Sequence, residues 1–218
     1  MDTGSAALFG AFRKVPTHLI LRDFLDAEAA GQLLSYALAN QAEFVPAKIV
    51  KDKGSVDTSR RKSMALRDLG PARPVLKERL AALLPDLTGS LGVTEFELSV
   101  TELELTAHGD GGFFRRHIDT MTGGDMTGLS HQRMISGVYY FHSQPKGFEG
   151  GKLRLYPLAP DAPDFAEIEP AHNTLVVFPS WAPHEVQPVI CSSGRFEDSR
   201  FAVNCWLCRR TPGTTWAS

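Results

Sequence analysis

The segment FFRRHIDTMT, residues 113–122, sets His117 and Asp119 two positions apart behind a pair of phenylalanines. In an extended strand, side chains two apart share a face, whereas on a helix they diverge by roughly 200°. An imidazole and a carboxylate on one face can grip one cation together. Such a pair also arises by chance and serves as an ordinary surface hydrogen bond, so a third donor decides between the two. His184 is that donor: in FPSWAPHEVQPV it follows one apolar run and precedes another, at a strand end. Two imidazoles and one carboxylate make the facial set of non-haem Fe(II) sites, which fills one face of an octahedron and leaves three positions open. Those positions suit a bidentate organic acid and dioxygen.

A chelating acid with a distal carboxylate needs a cation inside the fold, and arginine meets a carboxylate through two parallel hydrogen bonds. Arg200 opens the run RFAVNCWLC. Period two puts Arg200, Ala202, Asn204 and Trp206 on one face, with Phe201, Val203 and Cys205 on the other. The first face is small and polar beside one large aromatic, as a ligand cavity requires. Arg195, behind the CSSG turn, competes for the same role.

These residues need a scaffold. THLILRDFLDAEAAGQLLSYALANQAEF starts with a short apolar strand, then offers Asp26 as the N-cap of a helix with Ala29, Ala30, Leu33, Leu34, Ala37 and Leu38 at helical spacing. Residues 46–70 mix lysine, arginine, serine and glycine without periodicity and suit a long hairpin or mobile loop. A second helix fills PVLKERLAALLPDL, with an interruption expected at Pro85. From residue 94, TEFELSVTELELTA alternates polar and apolar residues as a half-buried strand does. Further strands are expected at 134–142, 151–158, 173–180, 184–190 and 199–208, with glycine, proline and aspartate in the gaps. Short strands following two helices predict an α+β, mainly β chain: a two-sheet barrel or jelly roll with the N-terminal helices packed on one sheet.

The 218 residues are read as one domain, a support region of about 15–93 and a β core of about 94–210. With 43% hydrophobic and 22% charged residues and a formal net charge of -2, the composition is that of a globular protein with no global attraction for nucleic acid or anionic membrane. Three cysteines, Cys191, Cys205 and Cys208, are too few for a disulfide framework and point to a reducing compartment; with neither a leader nor a membrane span in view, a cytoplasmic protein is expected. Cys205 and Cys208 of CWLC are read as buried thiols that a strand sends to opposite faces. His18, His108, His131, His142 and His172 lack a partner at ligand spacing and are read as solvent-facing or hydrogen-bonding residues.

HGDGGFFRRHIDT, VYYF, GGKLRLYP, PHEVQPV and RFAVNCWL follow one another in an order and approximate spacing that resembles the iron- and 2-oxoglutarate-dependent dioxygenases, most of all their prolyl 4-hydroxylase branch. The resemblance covers residues 94–210 in motif detail. It implies a double-stranded β-helix in which His117, Asp119 and His184 ligate Fe(II) and Arg200 pairs with the 5-carboxylate of 2-oxoglutarate. Tyr140 would hydrogen-bond the same carboxylate, Asn204 would line the cosubstrate cavity, and Leu153 would form an apolar wall. Two features depart from the family pattern: Ala107 stands where a tyrosine is usual, with His108 beside it, and an enlarged hairpin, VICSSGRFEDS, separates His184 from Arg200.

The reaction implied is hydroxylation of a C–H bond with release of succinate and CO2, using O2 and supported by ascorbate. Phe113, Phe114, Trp181 and Trp206 are candidates for dry walls around the oxidising centre. A prolyl residue of a protein or peptide is the leading substrate, with KIVKDKGSVDTSRRKS as the loop that would meet it. A free amino acid or other small molecule is the alternative substrate, and a non-catalytic ligand- or protein-binding barrel the alternative of a different class. Nucleic-acid and membrane partners are not expected, and the oligomeric state stays open.

Overall fold

The computed structural model describes residues 12–48, 56–120 and 130–211. After strand β1 (Leu19–Arg22), Asp26 caps helix α1 (Ala27–Ala39), its carboxylate accepting from the Ala29 amide at 2.8 Å. Ala30, Leu33 and Ala37 form the buried stripe of that helix. Helix α2 (Ala72–Leu91) starts two residues earlier than the sequence implies and runs straight through Pro85, which corrects the expected interruption. A proline removes one helical hydrogen bond and crowds the preceding turn, at a cost of about 3 kcal/mol. Burial of Leu76, Leu80, Leu87 and Leu91 on both sides of it outweighs that cost, and the Thr88 hydroxyl donates to the Pro85 carbonyl at 2.9 Å. The helix ends at Gly92, whose φ of 64° is the left-handed cap glycine adopts without strain.

Among the described residues between the helices lie three short strands, β2 (Val45–Pro46), β3 (Arg61–Lys62) and β4 (Met64–Leu66). The central part of the expected mobile loop, residues 49–55, lies outside the described residues. The remaining strands follow α2: β5 (Val100–His108), β6 (Phe113–His117), β7 (His131–Phe141), β8 (Glu149–Gly150), β9 (Leu153–Leu155), β10 (Ala166–Ile168), β11 (Thr174–Pro179), β12 (His184–Val186), β13 (Val189–Ile190) and β14 (Arg200–Arg210). Residues 94–99 alternate in sequence but join no ladder, so β5 begins later than expected.

These strands form a seven-stranded sheet in the order β1-β11-β7-β14-β5-β4-β2, a five-stranded sheet β10-β9-β12-β6-β3, and a small ribbon β13-β8. Period two divides the long strands between two cores. Odd positions of β5 and β14, including Leu103, Leu105, Phe201, Val203 and Cys205, meet Leu33, Leu76 and Leu80 of the helices. On the other face, Val138, Tyr140, Val176, Phe178 and Ala202 of the large sheet pack on Leu153, Leu155 and Ile168 of the small one. The result is the mainly β jelly roll with helices on one sheet that the sequence implied. Among the described residues no helix is long and apolar enough to cross a membrane.

Candidate active site

Strands β6 and β12 are antiparallel neighbours, and their register sets His117 directly opposite His184. Their ring centroids are 4.2 Å apart. Asp119 follows the end of β6, where its amide donates to the Ser180 carbonyl at 2.9 Å. Its Oδ1 lies 3.7 Å from His117 Nε2 and its Oδ2 lies 3.6 Å from His184 Nε2, and one ligand atom from each of the three residues lies within 4.8 Å of the others. Each histidine directs Nδ1 at a backbone carbonyl, His117 at Arg115 (2.8 Å) and His184 at Ala182 (2.9 Å). A carbonyl accepts only, so Nδ1 carries the proton and the Nε2 lone pairs face Asp119. The Ser136 hydroxyl donates to Asp119 Oδ2 at 2.6 Å and also contacts the Ser180 hydroxyl.

The electrostatics keep these groups in the forms a cation requires. Burial, reinforced by the His184 imidazole, holds His117 down at about 3. Burial opposes ionisation of Asp119, but His184 and His117 outweigh it and the carboxyl sits below its usual range. In the metal-free protein the unfolded chain therefore takes up protons near pH 6.5 that folded His117 refuses. Stability should fall as pH drops from 7 to 5, by about 2 kcal/mol through His117 alone. Thermal unfolding in chelator-containing buffers across that range checks the slope, and a stability unchanged down to pH 5 contradicts it.

Glu102, His131 and Cys208 form a second cluster of metal-ligand types. Its chemistry is different. Glu102 already accepts from His131 at 2.7 Å and from Arg133 Nε at 3.0 Å, and burial pushes the Cys208 thiol up to about 12. A neutral thiol and a carboxylate neutralised by arginine leave little affinity for a cation.

Arg200 lies inside the fold, 1% exposed, with Nε donating to the Gly151 carbonyl at 2.7 Å and its guanidinium 4.8 Å from the Tyr140 ring centroid. A Cβ on Gly151, whose φ is 63°, would come within 2.6 Å of Arg200 Cδ, so glycine is required there for the arginine to lie flat. Arg200 Nη2 and the Tyr140 hydroxyl are buried facing each other, and neither has a hydrogen-bond partner of good geometry. Unpaired buried donors are costly, and two beside each other are what a bound carboxylate would satisfy. Arg195, by contrast, is an outer residue paired with Asp198 at 2.8 Å.

His117, Asp119, His184, Arg200, Asn204 and Leu153 line one cavity. His108 lines it too, which corrects its reading as a solvent-facing or hydrogen-bonding residue: it is 3% exposed, pairs across the ladder with Arg200, and neither ring nitrogen has a partner. The signal was present in TELELTAH, where period two puts His108 on the face of Glu102, Glu104 and Thr106. His131 does hydrogen-bond as expected, and so do His142 and His18, each to a backbone carbonyl, while His172 accepts from the His142 amide. Of the proposed aromatic walls, Phe114 and Trp206 line the cavity. Phe113 and Trp181 do not: alternation along β6 turns Phe113 away from Phe114, toward Arg115, and Trp181 stands 42% exposed in the turn after β11.

The sequence matches the family model described as 2OG-Fe(II) oxygenase superfamily over residues 103–208. It is 34% identical over 195 residues to an uncharacterized PKHD-type hydroxylase of Synechocystis, an alignment covering 86% of this chain. The chain spans 61% of the length of that relative. Among solved structures, a Pseudomonas putida prolyl-4-hydroxylase superposes with a TM-score of 0.66 at 26% identity, over 94% of this chain and 99% of the other. A Trichoplax adhaerens prolyl hydroxylase, solved in complex with a hypoxia inducible factor peptide fragment, shares the fold with a TM-score of 0.65 at 20% identity, over 95% and 93% of the two chains.

Proposed function

We propose that the chain is a member of the 2OG-Fe(II) oxygenase superfamily, in its prolyl 4-hydroxylase-like branch, and that it is an Fe(II)- and 2-oxoglutarate-dependent dioxygenase that hydroxylates a prolyl residue of a protein or peptide. The observation that carries the reading is the pairing, around one cavity, of a three-donor cation set with a buried guanidinium whose Nη2 has no hydrogen-bond partner of good geometry. When bound, the iron, with 2-oxoglutarate and dioxygen, supplies the oxidation of an unactivated C–H bond, and 2-oxoglutarate leaves as succinate and CO2.

The rest is the work of side chains. His117 and His184 would offer Nε2 while the carbonyls of Arg115 and Ala182 hold their rings in place, and Asp119 would supply the negative charge, with Ser136 fixing its second oxygen. Arg200 would keep Nε on Gly151 and turn its Nη groups to the distal carboxylate of 2-oxoglutarate, joined by the Tyr140 hydroxyl. His108 would add a neutral imidazole to that cavity and Asn204 its amide. Leu153, Phe114 and Trp206 would keep bulk water from the reacting atoms. The prolyl substrate is supported by the Pseudomonas putida relative, which is named a prolyl-4-hydroxylase.

The test is incubation of the iron-loaded protein with 2-oxoglutarate, ascorbate and denatured cell lysate, followed by mass spectrometry. Succinate above a protein-free control, and single oxygen atoms added to prolines, are expected. Oxygen on other residues or on free metabolites only would replace the prolyl reading, and absence of succinate under every condition would leave a binding barrel.

A further inference from the structure

His117 and Asp119 also form part of the wall of a much larger opening, a cavity of about 930 Å³ reached from outside the barrel. Its charge is at odds with that of the chain. The protein as a whole carries -2, yet the described lining holds seven lysines and arginines against three carboxylates. All three carboxylates are engaged: Glu102 by Arg133 and His131, Glu104 by Arg61 at 2.8 Å, and Asp119 by the histidine set. Lys48, Arg60, Arg67, Arg73 and Arg116 line the same opening, and among the described residues none of them lies within ion-pair distance of a carboxylate. Arg116 donates to the Pro157 carbonyl and lies over the Tyr156 ring, and Arg73 donates to the Arg67 carbonyl, so these two keep their charge while their heads are oriented. Asp57 partly offsets Arg60 and Asp68 partly offsets Arg73, yet the excess of cations along one concave surface still raises the local concentration of anions and repels cationic chains.

We propose that the substrate is anionic: a segment presenting at least one carboxylate near the hydroxylated carbon, which the arginines of the mouth receive through paired hydrogen bonds. The inference rests on the oxygenase reading of the inner site and adds the substrate class to it. The cosubstrate's own carboxylate does not account for the mouth, because Arg200 already stands in the inner cavity with an Nη2 that lacks a hydrogen-bond partner of good geometry. An opening of this size suits an extended peptide, and a free acid of similar charge shares the chemistry.

The experiment uses three pools of short, end-blocked peptides with a central proline, flanked by glutamate, glutamine or lysine. They compete with a fluorescent glutamate-pool peptide for binding to the anaerobic, iron-loaded protein at saturating 2-oxoglutarate. The glutamate pool should bind at least about tenfold more tightly than the lysine pool at low salt, with glutamine between. Raising salt to about 0.5 M should remove most of the difference, and so should the double substitution Arg60→Gln/Arg67→Gln. End-blocked glutamate run alone separates the two sources: competition equal to that of the peptide pool assigns the site to a free acid. Equal binding of the three pools, tighter binding of lysine, or a preference indifferent to salt and to the double substitution overturns the proposal. Succinate formation without any peptide is measured in parallel, and its absence would count against the oxygenase reading while the binding preference is still read independently.

Discussion

Asp119→Ala is expected to give a folded protein that has lost more than about 100-fold in iron affinity and forms no detectable succinate. Loss of an outer partner of a metal ligand costs 10- to 100-fold, and Asp119, as a proposed ligand, would stand a step closer than that. It is the single anion of the set, and its two oxygens each face one histidine at under 4 Å. Without it, the two imidazoles would face a divalent cation with no compensating negative charge. Ser136→Ala is the calibrating variant: it removes the hydroxyl that holds Asp119 Oδ2 and should cost roughly the 10- to 100-fold of an outer partner. Metal content after dialysis against graded chelator reads both effects without depending on turnover. Wild-type iron affinity in Asp119→Ala would remove this residue from the ligand set.

Arg200→Met should act in opposite directions on affinity and stability. With 2-oxoglutarate present, truncating the cation of a buried charged pair costs about 2–5 kcal/mol, or a rise in KM for 2-oxoglutarate of some 30- to several-thousand-fold. Without it, the wild-type protein buries a guanidinium whose Nη2 lacks a hydrogen-bond partner of good geometry and whose charge meets no carboxylate among its described contacts. Such a charge is held at a loss, and an apolar residue of similar length relieves it. The melting temperature of the cosubstrate-free variant should therefore equal or exceed that of the wild type, while added 2-oxoglutarate should raise the melting temperature of the wild type only. A variant that is less stable but still stabilised by 2-oxoglutarate would move the carboxylate contact elsewhere.

The three-donor set was readable because His117 and Asp119 are two apart on a strand and His184 stands at another strand end. Period two also placed Arg200 and Asn204 together and sent Phe201 and Val203 to the helices. Pairing was not readable. Nothing in the local spacing says that β12 lies between β6 and β9, yet that neighbourhood is what sets His184 opposite His117. The polar face of TELELTAH illustrates a different limit. Alternation marks a half-buried strand without telling whether the polar side meets bulk solvent or a lined interior, and here Glu102, Glu104 and His108 turn inward. Pro85 was misread because local preference is a small quantity beside the burial of a whole leucine stripe.

The turn between β5 and β6 spans four residues, pinned at its β6 end where Gly111 donates to the Val189 carbonyl and Val189 donates to that of Gly112. It joins His108, across the ladder from Arg200, to the strand that ends in His117. That short connector works as a spacer gauge. Lengthening it by one residue would invert the pleat of β6, turning Arg116 inward and the imidazole outward. The linker before β6 therefore admits no one-residue change in length that leaves the imidazole facing Asp119.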